Sequence, residues 1–148
     1  MAVAMAADMR FASDDSQFGI PAARLSIGYG YDGLHKLVHL VGPAMASEIM
    51  FTARRVEPEE AQRIGLINRV VPIAELESAV REVADAICRN APLSIAASKH
   101  TIGQILTDKE ARDYGKIKQM SQMCFDSNDY KEGREAFMEK RSPVFMGT

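Results

Sequence analysis

Between residues 28 and 39 the chain gathers groups that could act on a ligand. Gly28, Gly30 and Gly33 alternate with Tyr29, Tyr31 and Asp32, and an apolar, helix-compatible run begins at Leu34. Glycines ahead of a helix let the backbone approach a ligand closely, and the free N–H groups of a first helical turn attract negative charge. The pattern fits equally a plain loop closed by a helix cap, with the Asp32 side chain as the cap. Spacing leaves both readings open. His35 and His39 follow one helical turn apart, a spacing found among metal ligands, but with no third ligand they read as a solvated or packed pair and no metal is assigned. His100 has no partner in the sequence. Cys88 and Cys124 are too few for a disulfide framework and lack CxxC spacing, so a reduced, cytoplasmic setting is expected. Cys88 falls in a helical pattern and is expected to be a small buried hydrophobe.

The elements that must position these groups follow from pattern. With 148 residues, 47% hydrophobic and 26% charged, the composition is that of one globular domain. A net charge of −2 gives no basic surface for sequence-independent nucleic-acid binding. No apolar run approaches the roughly 20 residues that span a bilayer, so neither nucleic acid nor membrane is an expected partner. Residues 1–7 are small and apolar on every side and are expected to be buried all round. Met9-Arg-Phe-Ala alternates like a strand, and a second short strand is expected over Gln17–Ile20, ahead of Pro21. Two such strands scarcely make a sheet, so something upstream is expected to be missing.

The remainder reads as helices. Leu34, Leu37, Val38 and Val41 keep helical spacing up to Gly42, and Pro43 opens the next run. Pro58 with Glu59 and Glu60 suits a first helical turn that closes at Gly65. Leu66–Val71 is strand-like and stops at Pro72. Helices are then expected over Ile73–Asn90, from Pro92 to about Thr107, over Lys109–Met123, and over Asp129–Lys140. Met45, Met50, Met120 and Met123 suit core or interface packing.

Taken together and in order, several segments resemble the crotonase (enoyl-CoA hydratase/isomerase) superfamily over essentially the whole chain. They are Ala6-Ala-Asp-Met-Arg-Phe-Ala-Ser, Gln17-Phe-Gly-Ile-Pro, the glycine-bearing turn at 28–33, and Val41-Gly-Pro-Ala-Met-Ala-Ser-Glu-Ile-Met-Phe-Thr-Ala-Arg. Further matches are Glu59-Glu-Ala-Gln-Arg-Ile-Gly-Leu-Ile-Asn-Arg-Val-Val-Pro and Glu132-Gly-Arg-Glu-Ala-Phe-Met-Glu-Lys-Arg-Ser-Pro-Val-Phe. The resemblance implies an α/β fold of the crotonase (ClpP-like) type, with an incomplete ββα-spiral core over residues 1–72 and a helical trimerisation and CoA-contact region over 73–148. Family members are substantially longer, so the chain looks like a C-terminal portion.

The resemblance also implies a chemistry. Two backbone N–H groups hold a thioester carbonyl and stabilise an enolate-like oxyanion, each donor contributing about 3 kcal/mol. Hydratases add two glutamates that position water and move its proton. Those positions fall here on Ala2 and Ala22, and alanine can do neither job. Tyr31 and Asp32 are the candidate catalytic residues, by hydrogen-bond donation and as a base. Ala22, Gly30 and Tyr29 are expected to line the substrate, and Phe137 and Lys140 to meet the CoA nucleotide, Lys140 as a point charge on phosphate. Set against these roles, Asp32 also suits a cap, the tyrosines suit packing, and Phe137 suits the core of a charged surface helix. The expected activity is that of a lyase or isomerase of acyl-CoA thioesters in fatty-acid or related metabolism. No cofactor is expected beyond the CoA of the substrate, and the expected assembly is a homotrimer or hexamer. A non-catalytic acyl-CoA-binding homologue, or an inactive fragment, is the alternative.

Overall fold

The computed structural model describes all 148 residues and divides into two compact units, Met1–Val80 and Arg81–Thr148. In the first, β1 (Phe11–Ser13) pairs in parallel with β2 (Arg69–Val71), in the register Phe11 to Arg69, Ala12 to Val70 and Ser13 to Val71. A parallel pair needs a long crossover. Here it is supplied by α1 (Tyr31–Thr52) and α2 (Pro58–Arg63). Arg10 fastens the return by donating from Nε to the Leu66 carbonyl at 2.6 Å and from Nη1 to the Ala7 carbonyl at 2.7 Å.

The Gly42-Pro43 pair bends α1. Gly42 adopts φ 75°, ψ 163°, a conformation that costs any other residue dearly, and Pro43 offers no N–H to continue the preceding turns. Each half then turns an apolar side inward. Leu37 from the first half and Ile49 from the second are fully buried, and they meet Val56, Ala61, Leu66 and Ile67 in one core. A Leu or Ile buried in this way contributes about 1.5–3 kcal/mol. Pro58 opens α2, and Gly65 ends it at φ +79°. A Cβ at Gly65 would stand 3.0 Å from the Leu40 carbonyl oxygen, so both conformation and space ask for glycine. Beyond α1, Arg54 forks onto both Glu60 oxygens, at 2.7 and 2.8 Å, and reaches Glu48 at 2.7 Å. These hydrogen bonds hold the Glu60 carboxyl below its usual range.

Several expectations are corrected here. Residues 1–7 form only a short 3₁₀ turn over Ala4–Ala6, from which Met5 alone is buried while Val3 is 89% exposed. No strand forms over Gln17–Ile20. Phe18 makes a single antiparallel bridge with Val56, and Pro58, which falls opposite Ser16 at the next pairing position, has no N–H to extend it.

The second unit is helical. α3 (Leu76–Cys88) runs into it from the first, and α4 (Pro92–Ile105), α5 (Tyr114–Asp126) and α6 (Asn128–Glu139) follow. Cys88 is exposed rather than buried, since at 100° per residue it lies about 180° around α3 from the buried Ala79. The expected Lys109–Met123 helix is split. A 3₁₀ turn occupies Lys109–Ala111 and Arg112 is extended, its guanidinium donating to the Thr107 and Ile105 carbonyls. Asp113 then caps α5 by accepting the Lys116 N–H at 2.8 Å. Ser127 caps α6 through the Tyr130 N–H at 3.0 Å.

The last residues fold back on α6. Asp129, 4% exposed, accepts the N–H of Met146 on one carboxylate oxygen and that of Gly147 on the other, both at 2.8 Å. The Thr148 carbonyl in turn accepts the Asn128 and Asp129 N–H groups at 2.7 and 3.3 Å. Glu132 takes a two-pronged contact from Arg141 and a further N–H from Val144.

Candidate functional site

In the first unit the expected substrate-side residues come together around the start of α1. Pro21 leads into a 3₁₀ turn over Ala22–Leu25, in which Ala22 is 4% exposed. The turn closes at Ser26, a left-handed residue at φ 52°, and the Ile27 N–H returns to the Ala22 carbonyl at 3.0 Å. Gly30 is the N-cap of α1, its carbonyl accepting the Leu34 N–H at 3.2 Å. Asp32 therefore sits inside the first turn and makes no cap hydrogen bond, which corrects the capping expectation. Its charge still suits the positive end of the helix.

The glycines in this turn divide into two kinds. At Gly33 a Cβ would stand 2.5 Å from a Tyr29 ring carbon, so the missing side chain makes room for that ring, which packs on the core. Around Gly28 and Gly30 a Cβ would meet nothing within 4 Å. Packing within the chain does not demand glycine there, and the space beside the backbone is open. Tyr31 stands out from the helix start, 70% exposed. The arrangement offers first-turn N–H groups, a phenolic donor and one carboxylate around an open backbone. It can donate hydrogen bonds to an oxygen that gains negative charge, and it has no second carboxylate to activate water.

Behind Tyr31 the same face of α1 carries His35, with ring centroids 5.4 Å apart, and then His39, 4.1 Å from His35. No group of three or more His, Cys, Asp or Glu side chains is placed to hold a metal ion.

In the second unit, α4, α5 and α6 wall an open cavity of about 950 Å³. Small and hydroxyl side chains of α4 (Ser94, Ala97, Ser98, Thr101) face Tyr130, Gly133, Arg134 and Phe137 of α6, with Cys124 and Phe125 of α5 and Phe145 of the returning tail. Phe137 is 82% exposed on this cavity, so the core reading of that residue is corrected. Lys140 does not line it. That residue ends α6 in a left-handed conformation at φ 56°. Sequence reasoning missed Asp129, which lines the cavity and anchors the tail, and Arg134, whose guanidinium lies 5.8 Å from the Tyr130 ring centroid. The one available signal was the Ser127-Asn-Asp run, a helix-start pattern in which a carboxylate in the first turn finds nearby donors.

The family model for enoyl-CoA hydratase/isomerase matches residues 1–148. The chain belongs to the enoyl-CoA hydratase/isomerase family. Among the relatives of this family member, the short-chain-enoyl-CoA hydratase of Clostridium acetobutylicum is 37% identical over 146 residues, covering 94% of this chain and 53% of the relative. The methylmalonyl-CoA decarboxylase of Escherichia coli is 34% identical over 146 residues, covering 97% of this chain and 56% of the relative. A solved enoyl-CoA hydratase/carnithine racemase from Magnetospirillum magneticum superposes with a TM-score of 0.89 at 30% identity, covering 99% of this chain and 54% of that structure. The fold is accordingly a partial crotonase fold, mostly helical with a small sheet. The chain spans about half the length of the curated relatives it matches.

Proposed function

We propose that the family-length protein containing this chain binds an acyl-CoA thioester and stabilises its enolate. We place Ala22, Gly30 and Tyr29 on the substrate, Tyr31 and Asp32 beside the reacting carbons, and Phe137 and Lys140 on the CoA nucleotide. The observation that carries the reading is the open backbone at Gly28 and Gly30 next to the buried, uncharged Ala22. Hydration needs a carboxylate to take a proton from water. With alanine at both glutamate positions, we favour a lyase or isomerase step that requires only oxyanion stabilisation and a proton donor.

Decarboxylation of a malonyl-type thioester meets that description, and a relative bearing the name methylmalonyl-CoA decarboxylase supports it. The bond to the carboxylate breaks, carbon dioxide leaves, and the electron pair enters the enolate. A proton then returns to the α-carbon, with the Tyr31 O–H as candidate donor. In this reading the protein is a homotrimer or hexamer of the cytoplasm, working in fatty-acid or related acyl-CoA metabolism. No helix is long and apolar enough to cross a membrane.

The test uses this chain and the chain extended upstream to family length. Crotonyl-CoA hydration is followed by loss of enoyl absorbance, and methylmalonyl-CoA breakdown by released carbon dioxide. Decarboxylation without hydration, slowed at least tenfold by Tyr31→Phe, is expected. Efficient hydration of crotonyl-CoA would overturn the argument from the two alanines. Tight thioester binding with no turnover of either substrate would instead establish the non-catalytic acyl-CoA-binding homologue.

A further inference from the structure

We propose that His35 and His39 form a two-imidazole chelate for one borderline transition-metal ion, of the Zn²⁺ or Cu²⁺ class, near the start of α1. Residues four apart on a helix share a face, with Cβ atoms about 5–6 Å apart. Here the two rings lie tilted against each other, with centroids 4.1 Å apart and 49° between their planes. The Nδ1 of His39 lies 2.8 Å from the His35 carbonyl oxygen. A carbonyl only accepts, so Nδ1 carries the proton and Nε2 keeps its lone pair. This backbone-held tautomer is the one that ligating histidines use, with the far nitrogen turned to the metal. Tyr31, against the other side of His35, limits how far that ring swings away.

The dimensions agree. An ion held tetrahedrally at about 2.0–2.1 Å from each nitrogen spans about 3.3 Å between them, which puts the ring centroids about 5 Å apart. From the observed 4.1 Å the centroids separate by about 1 Å, with the rings turned so that both free nitrogens face the ion. His39 is exposed and His35 half-buried, so a small side-chain rotation suffices. Imidazole selects copper, zinc and nickel, whereas magnesium and calcium take oxygen ligands. With no third His, Cys, Asp or Glu gathered in, the remaining positions belong to solvent or to a donor from another molecule. An ion bound here ties two successive turns of α1 together, directly behind the turn that carries Tyr29, Tyr31 and Asp32.

The test titrates the full chain with ZnCl₂, CuCl₂ and MgCl₂ by calorimetry in a non-coordinating buffer. One equivalent of zinc or copper and no magnesium is expected, with copper the tighter. His35→Ala and His39→Gln should each weaken binding at least tenfold with unchanged far-ultraviolet circular dichroism, and His100→Ala should leave it intact. Absence of zinc or copper binding tighter than about 1 mM, or a loss in only one of the two variants, would overturn the chelate.

Discussion

Replacing Asp129 by alanine should release the returning tail while leaving the helices formed. The buried carboxylate receives two backbone N–H groups, from Met146 and Gly147, each at 2.8 Å. Hydrogen bonds to a charged group contribute about 1.5–3 kcal/mol each. At the lower figure, losing both reduces the local opening free energy by about 3 kcal/mol, because the detached tail can recover hydrogen bonds from water. Amide exchange through local opening should therefore accelerate about 100-fold at Met146 and Gly147, at 1.36 kcal/mol per factor of ten. Asp129→Asn keeps one acceptor oxygen and should accelerate exchange about 10-fold, the loss of one such bond. Exchange measured residue by residue by nuclear magnetic resonance reads both effects. Asp126→Ala is the control, since that carboxylate accepts only from Gln122 and touches no tail residue. If Met146 and Gly147 exchange at the parent rate in Asp129→Ala, the carboxylate does not hold the tail and the reasoning fails.

Acidification should loosen the same tail by a second route. Hydrogen bonds from Arg141 and the Val144 N–H lower the Glu132 carboxyl from an ordinary 4.5 to about 2. The folded value lies below the unfolded one, so this stabilisation is fully present above pH 4.5 and is lost as the pH falls toward 2. Side-chain titration of Glu132 by nuclear magnetic resonance should show the low midpoint, and Glu132→Gln should flatten tail stability over that window. At the α1 bend, Gly42→Ala should cost about 1–3 kcal/mol, since φ 75° with ψ 163° suits glycine alone. Urea unfolding followed by circular dichroism would show it, and an unchanged midpoint would mean that the bend relaxes freely.

Local chemistry determined a good deal of this protein from the sequence alone. Pro58 and Pro92 open helices because a first-turn residue needs no N–H partner, and Gly65 and Gly42 mark ends and bends because each takes a positive φ. The ordered run of short segments was enough to identify the family. Tertiary structure decided what depends on partners far away in sequence. Phe18 makes one bridge rather than a strand because its partner is Val56, 38 residues later, and Pro58 just beyond has no N–H to extend the pairing. Asp32 caps nothing because the helix begins two residues earlier, at Gly30. Cys88 sits on the exposed side of α3 although it falls in a helical pattern. At the candidate site, the sequence showed Gly28, Gly30 and Gly33 as one motif. Only the structure separated Gly33, which admits the Tyr29 ring, from Gly28 and Gly30, which leave space free. Asp129 looked like one more surface charge until the chain returned to it 17 residues later with two N–H groups and no other acceptor for them. Periodicity and turn chemistry act over a few residues and can be read directly; burial and hydrogen-bond pairing are set by whichever distant segment arrives.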